Sequence, residues 1–303
     1  MNYRPCSERE PNYQYQNLLR EILERGTHEE KTQLVNKKDE QVGAISLFGS
    51  QPMVFNLENG FPMITERDVS SFWKGPIGEI FAFINGAHTQ KQLEKFGCYW
   101  WKAWVTEKKC SKRGLETGDL GPGSYGPAFH DFPTAEGNTF NQFKHLIEQI
   151  REFPHLRTHL ITPFIPQYIV RGKCKTQKVV VVPCHGFIHV RIIQKKLTLT
   201  MVQRSGDVPI GVPSNMIQYG ALTLALARVT GCKPHQYVHT ILDAHIYEDQ
   251  LPLVEKIIRR NPRTLPTVSL NDPPDNIFAF RKEHFILSDY YPHPAIPNIP
   301  VAV

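Results

Sequence analysis

The stretch "KVVVVPCHGFIHVRIIQKKLTLTMVQRS", residues 178–205, decides the fold class of this chain. Its apolar, β-branched start, the short polar turn "QKK" and the alternating segment "LTLTMVQRS" predict two antiparallel strands joined as a hairpin. Such strands belong inside a sheet, because one of their faces or both must be buried. We therefore expect this hairpin to form the sheet core.

Helices are predicted both before and after the hairpin in the sequence. Apolar residues at helical spacing indicate amphipathic helices over 15–26, 77–97 and 139–154. The segment "PSNMIQYGALTLALARVTG" is apolar nearly all round, which predicts a buried helix that begins near Pro213 and ends at Gly231. Residues 27–44 are polar and 117–127 are rich in glycine and proline, so we expect loops there.

The pattern contains no repeat and no linker. We predict a single α/β (α+β) domain over residues 1–303, in which helices cover a mixed β-sheet. Residues 1–14 are expected to form a poorly ordered N-terminal extension.

Composition excludes several classes of protein. The 303 residues are 41% hydrophobic and 21% charged, and no apolar run approaches the roughly 20 residues of a membrane span. The polar start "MNYRPCSEREPNYQYQ" lacks the apolar core of a signal peptide, so we expect a cytoplasmic protein without membrane contact. Six scattered cysteines with no C-x-x-C pair argue against a disulfide framework and against a structural zinc site. The net charge of +6 suits anionic small molecules and supports nucleic-acid binding only weakly.

Cys184 differs from the other five cysteines, which we interpret as small buried hydrophobic residues. It ends the apolar run just before His185, and "QRSGD" returns about twenty residues later on the next predicted strand. A hairpin of that length brings Arg204 beside Cys184. The guanidinium would favour the thiolate, which is the form that attacks as a nucleophile.

Three other features allow two interpretations each. His245 and Tyr247 are two residues apart, so in a strand both lie on one face, either as a buried pair or as ligands of a sugar hydroxyl. Glu79 lies in the apolar segment "IGEIFAF", where it is either exposed or a proton-handling group with a raised pKa. The cluster "CYWWKAW", with Trp101 and Trp104, fits a core or the wall of a site for a flat heterocycle.

The ordered set of motifs resembles the folate-dependent thymidylate synthase family. The similarity runs from about residue 15 to the last residue, through "ISLFGSQ", "NGFPMIT", "GEIFAFINGAHT", "GDLGPGSYG", "PCH", "QRSGDVPIGVPSN", "DAHIY" and the terminal "PVAV". The resemblance implies the family's fold and a homodimer with sheets packed across its interface. It also implies methylation of dUMP at C5, with 5,10-methylene-tetrahydrofolate as carbon and hydride donor and no metal.

The resemblance also assigns roles by position. Cys184 would add to C6 of the pyrimidine. Arg204 would bind the phosphate and help to activate Cys184. The remaining catalytic group would be Glu79, Asn215, Tyr125, His185 and Asp207. The substrate would be held by Arg157, Arg204, Ser205, Asn215, His245 and Tyr247. The folate would contact Trp101, Trp104, Asp207, Gly211, Ser214 and Ala302.

Asn215 carries the most information about the substrate. Its amide donates and accepts at once, which matches the O4 acceptor and N3–H donor of uracil. Relatives that hydroxymethylate dCMP carry an aspartate at this place, so we expect a uracil base.

The chain departs from the family at the phosphate site. Of four arginines that usually gather there, two donated by the partner subunit, only Arg204 and Arg157 are present. Thr158 replaces the second partner arginine, and the loop "KDEQVG" puts Asp39 at or next to the remaining position. Losing two charge-assisted contacts would cost several kcal/mol of phosphate affinity if nothing replaced them.

Two further departures bear on the product. Ser214 stands where the family has a phenylalanine beside the pterin, and "TPFIP" (162–166) replaces "SAWNP". These changes motivate an alternative, a hydroxymethylase acting on dUMP, UMP or CMP, in which water traps the methylene. A second alternative is a catalytically weak homologue that binds RNA, motivated by the phosphate-site losses and the basic isoelectric point. The retained catalytic set argues against it.

Overall fold

The predicted hairpin forms, although its first strand starts later than expected. The computed structural model describes residues 3–32, 34 and 40–301. The hairpin strands are Phe187–Ile193 and Lys196–Gln203, paired antiparallel from Ile193↔Lys196 outward. Gln194 and Lys195 form the turn with φ of 51° and 59°, the left-handed pair that matches the twist of two-residue hairpins.

The described part of the chain contains nine α-helices and thirteen strands. The helices are α1 (Gln14–Arg25), α2 (Lys74–Ile84), α3 (Gln90–Glu94), α4 (Glu107–Ser111), α5 (Tyr125–His130), α6 (Gln142–Glu152), α7 (Pro166–Ile169), α8 (Gly211–Thr230) and α9 (Leu251–Ile258). The strands are β1 (Thr27–Glu29), β2 (Ala44–Phe48), β3 (Met53–Asn56), β4 (Phe132–Pro133), β5 (Thr139–Phe140), β6 (Leu160–Ile161), β7 (Phe187–Ile193), β8 (Lys196–Gln203), β9 (Gly206–Asp207), β10 (Lys233–Ile241), β11 (Asp243–Tyr247), β12 (Thr267–Leu270) and β13 (Phe285–Ser288).

Two mixed sheets organise the fold. The larger sheet has the order β3-β10-β8-β7-β6, in which only β10 and β8 run parallel. The smaller has the order β1-β2-β11-β9, with β11 and β9 parallel. Helix α8 packs against β8 and β10 and is buried nearly all round, as its uniform apolarity predicts. The large sheet therefore has one face in the core.

Several element boundaries differ from the predictions. The helix expected over 77–97 is two helices, because Gly86 takes a φ of +79° and Thr89 starts α3 with a capping box. Helix α8 begins at Gly211, two residues before Pro213, which the first turn tolerates because its N–H needs no partner there. The polar segment after α1 contains β1, which pairs with β2.

Residues 178–186 are irregular rather than part of a strand. Their backbone bonds go to a loop instead of a sheet: Gly123 N–H donates to Lys178 O, and Val180 N–H donates to Leu120 O. The apolar run thus packs against the Gly/Pro-rich loop, where two of its members are buried.

The N-terminal segment was expected to be poorly ordered, yet residues 3–13 contact the rest of the protein. Arg9 is buried, and its guanidinium donates to Leu265 O at 3.0 Å and to Thr267 Oγ1 at 2.6 Å. The Tyr3 hydroxyl donates to Val268 O at 2.8 Å. These hydrogen bonds to residues 265–268 order the N-terminal segment. No local sequence pattern indicates such long-range contacts.

Candidate active site

Cys184 lies in the irregular segment just before β7, where three backbone bonds hold it. The Tyr125 hydroxyl accepts from the N–H groups of Cys184 at 2.7 Å and His185 at 3.4 Å. Arg204 N–H donates to Cys184 O at 2.7 Å. Gly186 follows with a φ of +100°, a conformation that favours glycine, and lets the chain turn into β7. The thiol therefore has a defined position at the junction of two elements.

Arg204 lies beside Cys184, as the hairpin predicts. Its Nη2 is 3.4 Å from the Cys184 sulfur, while Nε and Nη2 also donate to Pro183 O and Val182 O. The expected activation is only partial, however. Burial raises the pKa of the Cys184 thiol, the Arg204 charge lowers it, and Asp243 raises it further, so the net shift is upward. The Arg204 charge thus acts in the predicted direction, toward the thiolate, although desolvation has the larger effect on the pKa of the thiol.

Strand β11 places His245 and Tyr247 on one face, as their spacing predicts. Both side chains are buried, and their rings lie 5.1 Å apart in an edge contact. Asp243 belongs to the same set: its Oδ1 is 3.5 Å from His245 Nδ1, and its Oδ2 accepts from the Ser205 hydroxyl at 3.1 Å. Sequence reasoning missed Asp243, although its place two residues before His245 on the same strand pointed to it.

Glu79 is buried, so the exposed interpretation is wrong. Its Oε1 accepts from the indole N–H of Trp101 at 2.5 Å and of Trp100 at 2.7 Å, and from the Cys98 thiol at 3.7 Å. Its Oε2 accepts from the side-chain amide of Gln218. Burial raises the pKa of the Glu79 carboxyl, and the indole bonds oppose that rise. Glu79 is therefore a buried acid in a full shell of donors.

Gln218 and Trp100 were not among the predicted site residues. Gln218 is fully buried and follows Asn215 by three positions on α8, and the Asn215 amide donates to it at 2.8 Å. A buried glutamine in an otherwise apolar helix is the signal that identifies it. Trp100 adjoins the predicted Trp101 in the cluster "CYWWKAW".

The start of α8 carries the other predicted folate contacts. Gly211 is its first residue, and a side chain there would meet only the Asn215 Oδ1, 3.8 Å from a built Cβ. Ser214 is half-buried one position before Asn215. Trp101 packs against Trp104 with ring centroids 5.9 Å apart, so these indoles form a wall continuous with the Glu79 shell.

Asp207 lies on β9, opposite His245 of β11. Its carboxylate accepts from the Ile210 N–H at 3.2 Å and from the Gln250 side-chain amide at 3.1 Å. Burial raises the Asp207 pKa to about 6, against the effect of these bonds. Gln250 also donates to Pro300 O at 3.0 Å, which links the C-terminal tail to the carboxylate.

Tyr125 and His185 connect the thiol to the Glu79 shell. The Tyr125 ring stacks on His185 at 4.6 Å and on Phe83 at 4.7 Å, and Phe83 meets Trp101 edge-on at 6.0 Å. Burial and the Arg204 charge lower the His185 pKa to about 3, so its imidazole is neutral near pH 7. The two predicted catalytic regions thus form one contiguous cluster.

Some predicted residues lie elsewhere or outside the described chain. Arg157 is exposed in the loop after α6, where His189 Nε2 lies 3.1 Å from its carbonyl, and no side-chain contact joins it to the Cys184 cluster within the described residues. Thr158 beside it is exposed too. Asp39 and Ala302, with the predicted loop and tail contacts that depend on them, lie outside the described residues.

The sequence model of the family described as Thymidylate synthase matches residues 13–303. The chain belongs to the thymidylate synthase family. Its helices and mixed sheets agree with that family's fold, which confirms the predicted fold class. Thymidylate synthase family members are enzymes that transfer a one-carbon unit to a pyrimidine nucleotide, with methylenetetrahydrofolate as co-substrate.

Within residues 3–32, 34 and 40–301, no group of three or more histidine, cysteine, aspartate or glutamate side chains is arranged to hold a metal ion. Across the same residues, no helix has the length and apolarity needed to cross a membrane.

Proposed function

We propose that this chain methylates dUMP at C5, with 5,10-methylene-tetrahydrofolate as carbon and hydride donor and Cys184 as nucleophile. The observation that carries the proposal is the placement of the Cys184 sulfur 3.4 Å from Arg204 Nη2. A guanidinium at that distance can bind a substrate phosphate and stabilise the thiolate at the same time. Single-domain organisation and a cytoplasmic location remain predictions of the same proposal.

The reaction follows from the groups in the cluster. The Cys184 thiolate adds to C6 of the uracil ring, and C5 then attacks the methylene carbon of the folate. After the C5 proton leaves and the folate is eliminated, a hydride from tetrahydrofolate reduces the methylene to a methyl group and Cys184 is released. The products are dTMP and dihydrofolate. Glu79 handles protons, Asn215 binds the base edge, and His245 with Tyr247 holds the deoxyribose hydroxyl.

Folate contacts complete the proposal. Asp207 is a buried carboxylate suited to the hydrogen-bond donors of the pterin, and the Trp101 and Trp104 indoles provide flat apolar surface for its ring. Gly211 leaves the space above the Asn215 amide open. Gln250 bonds both Asp207 and Pro300 O, so it links the described end of the tail to the same carboxylate.

A homodimer is part of the proposal and is supported by the outer face of the large sheet. The face opposite α8 keeps Thr198, Thr200 and Val202 of β8 half-exposed, and Val54 of β3 is 41% exposed. A sheet face of this kind is suited to packing against a second copy. Arg157 is exposed, which fits a contact with the partner's phosphate site.

Hydroxymethylation is the second candidate, favoured by Ser214. Its half-buried hydroxyl stands at the start of α8, one residue before the base-binding Asn215, and can hydrogen-bond a water molecule. Water that reaches the methylene before hydride would give a 5-hydroxymethyl product and tetrahydrofolate. Retention of the protein for RNA binding alone is a weaker candidate, because the sequence retains the residues proposed for catalysis.

The test is a product analysis with purified protein. dUMP and 5,10-methylene-tetrahydrofolate should give a product of dTMP mass with the absorbance of dihydrofolate, and Cys184→Ser should abolish turnover. A hydroxymethyl mass without dihydrofolate would overturn the methylation proposal in favour of the second candidate. Running dUMP, UMP, dCMP and CMP in parallel identifies the substrate, and turnover that survives Cys184→Ser would contradict both mechanisms.

A further inference from the structure

A chain of three buried side chains joins Asn215 to Glu79. Gln218 is fully buried, and its Oε1 accepts from Asn215 Nδ2 at 2.8 Å. Its Nε2 donates to Glu79 Oε2. Because Asn215 and Gln218 are three residues apart on α8, they lie on one helix face, and Glu79 comes from α2 on the other side. The chain thus spans the packing interface of two helices.

The chemistry of Glu79 determines the direction of this chain. Both oxygens of Glu79 act as acceptors, so Gln218 turns its NH₂ group toward Glu79 and its carbonyl toward Asn215. Asn215 must then turn its own NH₂ group toward Gln218. Two indole N–H groups already occupy the other oxygen of Glu79. A reversed chain would therefore place the Gln218 carbonyl against a carboxylate oxygen.

We propose that Gln218 is a specificity-determining positioning residue, which holds the Asn215 amide in the orientation that accepts uracil and rejects cytosine. This proposal rests on the proposed function, in which Asn215 faces the base edge. In the observed orientation, Asn215 Oδ1 accepts from N3–H of uracil, and its second N–H donates to O4. Cytosine presents an acceptor at N3 and a donor at N4, so it needs the opposite orientation.

Reversing the Asn215 amide to pair with cytosine would also disrupt the hydrogen bonds of Gln218 and Glu79. Asn215 Oδ1 would meet Gln218 Oε1, and turning Gln218 as well would bring two acceptors together at Glu79. Buried groups left with mismatched partners reject the wrong ligand strongly. Only a neutral group with a donor at position 79 can pair with the reversed chain. Base choice therefore depends on two residues that do not touch the base.

The experiment measures equilibrium binding of dUMP and dCMP by calorimetry, without folate and without turnover. Wild type should prefer dUMP by about 100-fold or more, on the scale of other sites built to hydrogen-bond a particular group. Gln218→Met removes both bonds at nearly constant volume, and Glu79→Gln supplies a donor at the end of the chain. Each should reduce the preference at least tenfold, mainly by strengthening dCMP binding relative to dUMP.

Two controls separate positioning from loss of structure. Gln218→Glu, when protonated, keeps an acceptor for Asn215 and a donor for Glu79, so it should retain the preference for dUMP. Gln16→Met removes another buried glutamine, whose amide donates to Ile257 O and Arg260 O instead of to Asn215 or Glu79. This variant should leave the preference for dUMP unchanged. Thermal melting of each variant verifies its fold.

The outcomes are distinct for the two proposals. A preference that stays within threefold of wild type in both folded Gln218→Met and Glu79→Gln overturns the role of Gln218. If Gln218→Met does not fold, Glu79→Gln alone decides, because it changes no volume. Wild-type protein that binds neither nucleotide would instead overturn the proposed function.

Discussion

The Cys184 thiol is subject to two opposing influences. Burial disfavours its charged form, while the Arg204 guanidinium 3.4 Å away favours it, and burial has the larger effect on the pKa. A nucleophile held as a thiol is less reactive toward chance electrophiles than a free thiolate. Sequence spacing identified the pair, but the balance between them depends on how deeply the fold buries the sulfur.

Alkylation by iodoacetamide should reveal this balance. Because the pKa of Cys184 is raised, its thiolate appears only at higher pH, so its alkylation rate should rise later with pH than that of an ordinary cysteine. Arg204→Gln removes the charge that lowers the pKa and should shift the rise to still higher pH. Peptide mass spectrometry follows each cysteine separately.

Cys174 provides the control for this measurement, since it is exposed and is modified in the same sample. The contradicting result is a Cys184 that reacts at lower pH than Cys174. An Arg204→Gln variant with an unchanged profile would mean that the guanidinium does not act on the thiol.

At the level of elements, helix α8 connects the core to the site. Its first turns carry Gly211, Ser214 and Asn215, and its middle packs against the loop that follows β3. Gly220 makes this approach possible, because a Cβ there would lie 2.6 Å from Pro62 Cγ and 3.0 Å from a Phe61 ring atom. The sequence shows an apolar helix, but not which of its faces needs a glycine.

Gly220→Ala should therefore destabilise the protein. Alanine favours the helix by about 1 kcal/mol, but the clash with Pro62 and Phe61 costs about 1–3 kcal/mol, so we expect a net loss of up to about 2 kcal/mol. Urea unfolding measures the change. The matched control is Gly172→Ala, where a Cβ meets nothing within 4 Å, and it should be close to neutral. A Gly220→Ala variant more stable than wild type would contradict the described packing of α8.

Element types were more predictable than element limits. The amphipathic helix at Gln14–Arg25 and the hairpin followed from periodicity, because each buries one face that its own sequence marks. The break of the helix expected over 77–97 lies at Gly86, whose φ of +79° is incompatible with a continuous helix. The irregular path of 178–186 likewise depends on bonds to a distant loop.

At the scale of the whole molecule, Gln218 and Gln250 were missed for the same reason. Glu79 and Gln218 are 139 positions apart, and Gln250 reaches Asp207 and Pro300 across 43 and 50 positions. Sequence motifs identify side chains that react, because those have unusual chemistry for their surroundings. Residues that support them are ordinary glutamines and tryptophans, whose roles appear only when distant elements meet.

The proposed homodimer predicts complementation between two inactive variants. Cys184→Ser removes the nucleophile, and Arg157→Ala removes the contact expected to reach the partner's site. A mixed dimer contains one site with both residues intact, so equal mixing with subunit exchange should restore about a quarter of wild-type sites, since half of the dimers are mixed and each has one intact site. Enzyme assays before and after mixing, with light scattering for mass, make the measurement.

Each variant alone is the control and should have little activity. A particle of twice the 34.8 kDa chain mass is expected for all samples. Full activity of Arg157→Ala alone, or no recovery in a mixture that demonstrably exchanges subunits, would exclude a shared site.

The hydrogen-bonded series Asn215, Gln218 and Glu79 also limits how the protein can evolve. An ionised acidic side chain at position 215 offers only acceptors, so the Gln218 carbonyl would lose its hydrogen-bond partner. Gln218 would then have to turn its NH₂ group toward position 215 and its carbonyl toward Glu79. A single substitution at position 215 is then a poor intermediate, and it becomes tolerable only after position 218 or 79 has changed. Base preference in this lineage is expected to shift through ordered, mutually dependent substitutions.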